Sequence, residues 1–139
     1  MEAEFVGRRA ELELLNDIWE SGRSALVVLY GRRRVGKTRL LTHWLKSKGD
    51  PSCGFYWMAE ATSPHDQIRS FAQTFAAFED PDYEIPKDLT YPNWEHAFRQ
   101  VAKLAKGRRV AILLDEVTYI MEIMPDFVAT LHKALDQWL

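Results

Sequence analysis

Residues 31–38 read GRRRVGKT, directly after the apolar run Ala25-Leu-Val-Val-Leu-Tyr30. Glycine, four residues, then Gly-Lys-Thr is a spacing suited to holding a chain of phosphates. Gly31 and Gly36 let the backbone curl with its N–H groups pointing inward, in conformations where a Cβ would clash. Arg32, Arg33, Arg34 and Val35 supply the intervening amides, and Arg39 continues the wall. Lys37 reaches the β- and γ-phosphates, and the Thr38 hydroxyl is a hard oxygen ligand for Mg²⁺. Apolar residues at helical spacing follow over 38–46, so a helix N-terminus adds the positive end of its dipole.

A second chemical element lies about 80 residues on. Asp115 closes the run Val110-Ala-Ile-Leu-Leu114. A carboxylate at the end of a buried strand beside a phosphate loop can hold Mg²⁺ together with Thr38, directly or through water. Glu116, one residue further, is placed to polarise a water for in-line attack on a terminal phosphate.

These groups need a scaffold of alternating strands and helices. Leu12, Leu15, Ile18 and Trp19 share one face of a helix predicted over 8–20, with Gly22 as its stop. Strands are predicted over 25–30, 54–59 and 109–114, and a helix from the phosphate loop to about Lys48 ends before Gly49-Asp-Pro51. Ser63-Pro64 opens another helix, as cap and first residue, with Ile68, Phe71, Phe75 and Phe78 on one face. A proline-rich loop spans 80–92, Asn93 caps a helix over 94–106, and Gly107 ends it. Helical segments broken at Pro125 complete the chain, the last carrying Phe127, Leu131, Leu135 and Trp138. The alternation implies an α/β fold with parallel strands and crossover helices.

The 139 residues, 47% hydrophobic, suffice for one domain with a real core. A net charge of −2 argues against a dominant nucleic-acid footprint. The arginine triplet therefore adds positive potential to the loop or faces solvent. A lone cysteine, Cys53, excludes an internal disulfide and suits a reducing cytoplasm. No apolar run is long enough to cross a bilayer, and the acidic start, Met1-Glu-Ala-Glu-Phe5, is unlike a secretory signal. His43, His65, His96 and His132 show no metal-ligand spacing. Glu60, just past the second strand, either touches the ligand edge of the sheet or stands in solvent.

Phe5-Val-Gly-Arg8 with Glu11-Leu12, then YGRRRVGKTRLL at 30–41 and VAILLDEVTYI at 110–120, resembles a family of prokaryotic AAA-type ATPases. It is the archaeal-type ATPase domain often grouped with the STAND NTPases. The resemblance implies a three-layer αβα P-loop NTPase with a parallel sheet, Walker A at the loop and Walker B at Asp115. It implies ATP or ADP with Mg²⁺ as ligands, Lys37 and Glu116 as catalytic residues, and Val6, Gly7 and Arg8 on the adenine side. Tyr119 matches the family pattern in a packing role.

In such folds a further strand lies between the Walker A and Walker B strands and follows both in sequence. The resemblance therefore makes residues 1–139 the N-terminal portion of an ATPase domain, an AAA-like core without its later strands or lid. Either the Walker strands close directly on each other, or another copy fills the gap, or the domain is only partly ordered. The first two outcomes are favoured, with self-association slightly ahead of direct closure. The functional expectation is Mg²⁺-dependent ATP hydrolysis coupled to conformational change. A nucleotide-dependent switch or scaffold with little turnover is the alternative, and a small-molecule kinase would need an acceptor site and a lid.

Overall fold

The run Ala111-Ile-Leu-Leu-Asp115 has no polar residue until its last position and forms a strand buried at all five. Burial on both faces is what a near-continuous apolar run in a parallel sheet achieves. It sits inside a four-stranded sheet in this computed structural model, which describes residues 2–3, 16–17, 19–22, 24–28, 43–44 and 53–137. The strands are β1 (Glu2–Ala3), β2 (Ala25–Val28), β3 (Gly54–Met58) and β4 (Ala111–Asp115), in the order β1-β2-β4-β3. Every pairing is parallel. Described helices are α1 (Pro64–Glu79), α2 (Trp94–Gly107), α3 (Thr118–Ile123) and α4 (Phe127–Gln137). The chain is α/β.

The molecule divides into two compact units. The first comprises residues 1–58 and 108–118 and holds the sheet. β2 lies directly against β4, with Ala25 opposite Ala111 and Val28 opposite Leu114. Of the outcomes expected for these two strands, direct closure is the one seen, and no strand lies between them. Their inner edges satisfy each other's N–H and C=O groups, so the row of unpaired groups that motivated self-association is not there. β1 is a strand the sequence did not suggest, since two residues are too few for any periodicity.

Ser24 fastens the two central strands at their starts. Its hydroxyl donates to the Arg108 carbonyl at 3.4 Å and accepts from the Val110 N–H at 3.0 Å. Helical residues Asn16–Asp17 and Trp19–Glu20 end at Gly22, whose φ of +79° is a left-handed stop. The Gly22 N–H donates to the Trp19 carbonyl at 3.1 Å. Trp44 packs edge-on to Trp19 and donates its indole N–H to the Asn16 Oδ1 at 2.9 Å. Arg109 lies 3.9 Å over the Trp19 ring, a cation–π contact.

The second unit, residues 59–107 and 119–139, is helical. The Ser63 hydroxyl accepts from the Asp66 N–H and Asn93 Oδ1 accepts from the His96 N–H, so both predicted caps are formed. Phe71 and Phe75 are stacked at 5.6 Å, and Phe71 also meets Trp94 at 5.4 Å. Phe127 of α4 closes the cluster against Trp94 at 5.3 Å and Phe98 at 5.7 Å. Phe78, at the end of the predicted apolar face of α1, is half-buried instead. Gln67 is a polar intruder on α1, 1% exposed. Its Nε2 donates to the carbonyls of Glu60 at 2.9 Å and Tyr119 at 3.3 Å, tying the loop after β3 to α3.

Candidate active site

The parallel register of β2 and β4 brings two chain exits to one edge of the sheet. Val28 and Leu114 are opposite each other, so the chain leaves β2 toward GRRRVGKT at the level where β4 delivers Asp115. In open α/β sheets that carboxyl edge is where ligands bind.

Asp115 is the last residue of β4 and is 7% exposed. Its Oδ2 accepts from the Tyr56 hydroxyl at 2.6 Å, and its Oδ1 accepts from the Glu116 backbone N–H at 2.8 Å. Tyr56 reaches Asp115 because β3 and β4 are in register: Tyr56 is opposite Leu113 and Met58 opposite Asp115. Partners at one level of a parallel pair share a face, so Tyr56 lies diagonally before Asp115 on the same face. The opposite face of β3 carries Phe55 and Trp57, both buried, while Tyr56 and Met58 are half-exposed. The acid thus lies on the face that β3 leaves less covered, while β4 is buried on both.

Glu116 breaks the strand. It has a φ of +55°, alone among the described non-glycine residues in being left-handed, and is 5% exposed. A β-carbon in that region costs about 1–2 kcal/mol. Such strain persists where the surroundings enforce it, and it gathers at functional sites. The turn that follows leads into α3 at Thr118.

Of the sequence-predicted residues, Asp115 and Glu116 stand together at the sheet edge. Lys37, Thr38 and the rest of Gly31–Arg39, with Val6, Gly7 and Arg8, lie outside the described residues. Glu60 is exposed. Tyr56 was not foreseen. Its signal was the parity of the aromatic strand, unusable until the register with β4 was known.

A family model described as an ATPase domain predominantly from Archaea matches residues 5–138. The chain belongs to this ATPase family. An ATP-binding protein of Methanocaldococcus jannaschii, itself named as uncharacterized, is 50% identical over 44 residues, which are 32% of this chain and 75% of that protein. An uncharacterized protein of the same organism is 28% identical over 132 residues, 95% of this chain. The ATPase domain spans only 26% of that second relative's length. No solved structure gives a significant match.

Asp115 is a hard oxygen donor of the kind that Mg²⁺ takes. Among the described residues no three His, Cys, Asp or Glu side chains cluster as a metal cage. Mg²⁺ needs none, being held by one or two carboxylates together with waters and phosphate oxygens. Among the described residues no helix is long and apolar enough to cross a membrane.

Proposed function

We propose that the domain binds Mg·ATP at the carboxyl edge of β2 and β4 and hydrolyses it, coupling nucleotide state to conformational change. The observation that supports this reading is the in-register parallel pairing of β2 with β4, in which Val28, three residues before GRRRVGKT in sequence, lies opposite Leu114, the residue before Asp115. The family match and the ATP-binding name of the shorter relative support it.

In this reading Gly31 to Arg39 wrap the phosphates with backbone amides, and Lys37 neutralises charge on the β- and γ-phosphates. Val6, Gly7 and Arg8 line the adenine. Thr38 and Asp115 hold Mg²⁺, which supplies charge neutralisation at the transferring phosphoryl group. Glu116 orients and deprotonates the attacking water, and its left-handed backbone fixes the direction from which the carboxylate approaches. Catalysis is then mostly positioning and electrostatic stabilisation.

The test is single-turnover cleavage of ATP with and without Mg²⁺, alongside titration of a fluorescent ATP analogue. Binding with Mg²⁺-dependent cleavage supports hydrolysis. Binding without cleavage moves the domain to a nucleotide-dependent switch, and no binding by wild-type protein refutes the reading.

A further inference from the structure

We infer that Tyr56 is a positioning residue for the Mg²⁺ ligand Asp115, a role that rests on the nucleotide site proposed above. The phenol hydroxyl donates to Asp115 Oδ2 at 2.6 Å while the Glu116 N–H holds Oδ1 at 2.8 Å. The two donors come from different strands and grip the two oxygens separately. Rotation of the carboxylate about its Cβ–Cγ bond would break both. The two bonds together give the Asp115 carboxylate a defined plane.

Tyr56 is suited to this because of where β3 places it. Its backbone is fixed by pairing with Leu113, two residues before Asp115 on the same face. A tyrosine ring spans that diagonal, whereas serine, threonine or asparagine at position 56 is too short. The neighbours Phe55 and Trp57 point to the buried face and anchor the strand, leaving Tyr56 half-exposed with its hydroxyl committed to the acid. Groups behind a metal ligand in this way typically change metal affinity 10–100-fold when removed.

The experiment compares wild type, Tyr56→Phe, Asp115→Asn and the double variant. Mn²⁺ replaces Mg²⁺, and free Mn²⁺ is counted by electron paramagnetic resonance in the presence of a non-hydrolysable ATP analogue. Analogue affinity without metal and the thermal midpoint are measured in parallel. Tyr56→Phe is expected to weaken Mn²⁺ binding about tenfold while metal-free analogue binding is unchanged. In the Asp115→Asn background the same substitution is expected to change nothing further, because the hydroxyl acts through that carboxylate. Unchanged Mn²⁺ affinity in Tyr56→Phe overturns the inference, as does an equal further loss in the double variant. A Tyr56→Phe chain that fails to fold overturns it too, since the hydroxyl then serves stability. Wild type that binds no Mn²⁺ with the analogue instead refutes the nucleotide site itself.

Discussion

Replacing Glu116 by alanine and by glycine isolates the backbone strain at the proposed catalytic residue. Both variants delete the carboxylate, and they differ by one methyl group. At an ordinary position glycine is the less stable of the two by about 0.4–1 kcal/mol, because it frees the unfolded chain. At φ +55° the alanine Cβ keeps the left-handed penalty of about 1–2 kcal/mol, and glycine has none. The difference of these terms leaves glycine ahead by about 0.5–1 kcal/mol, a reversal of the usual order. In a chain of 139 residues that is about 3 °C in the thermal midpoint. Urea unfolding of both variants, with equal slopes confirming a common unfolded state, reads the difference directly. Alanine as stable as glycine, or more so, would show that position 116 is unstrained and that the left-handed turn does not aim its carboxylate.

Further outcomes test other parts of the molecule. Lys37→Ala should weaken binding of a fluorescent ATP analogue about ten- to hundredfold by removing a charge-assisted contact of about 1.5–3 kcal/mol, and equal affinities would remove Lys37 from the site. Glu116→Gln keeps the shape and loses the base, so turnover should fall about 10²–10⁴-fold while ATP affinity holds. Trp94→Ala, at a side chain 2% exposed and in contact with Phe71, Phe98 and Phe127, should cost about 3–5 kcal/mol in urea unfolding. Glu95 is held below the ordinary carboxyl value by a hydrogen bond from Lys133 and its charge, with Arg99 adding a smaller pull. That stabilisation is present above the ordinary value and lost as pH falls through the folded one, so Lys133→Met should lower the urea midpoint at neutral pH and not in acid. Burial, with help from the Glu79 carboxylate, pushes Tyr91 up to about 12 from 10.0. Its contribution is therefore complete below pH 10 and lost as pH rises through about 12, and Tyr91→Phe should remove that alkaline step from the stability profile.

What was legible in the sequence was local, and what was not depended on pairing. The Ser63-Pro64 and Asn93 caps are read within four residues, because the donor that each cap satisfies lies three positions along the chain. Phe71 and Phe75 follow from helical periodicity for the same reason. Asp115 was visible as the polar end of an apolar run, although its strand starts and ends later than the pattern suggests, at Ala111 and Asp115. The neighbour of that strand was not visible, since any of several parallel orders satisfies the same alternation of apolar runs. The order expected from the resembled family left β2 and β4 apart, and the structure places them together with Val28 opposite Leu114. That one pairing removes the argument for filling a gap with a second copy. It also brings the exit toward the glycine-rich segment level with Asp115. The pairing of β4 with β3 then decides which aromatic of Gly54–Met58 meets the acid: a shift of one residue would have turned Tyr56 to the buried face and offered Phe55 or Trp57, neither of which can donate a hydroxyl proton. The residue types at 115 and 116 are thus local to the sequence, but their geometry is set by strand register, which residue types 57 or 86 positions away determine only collectively.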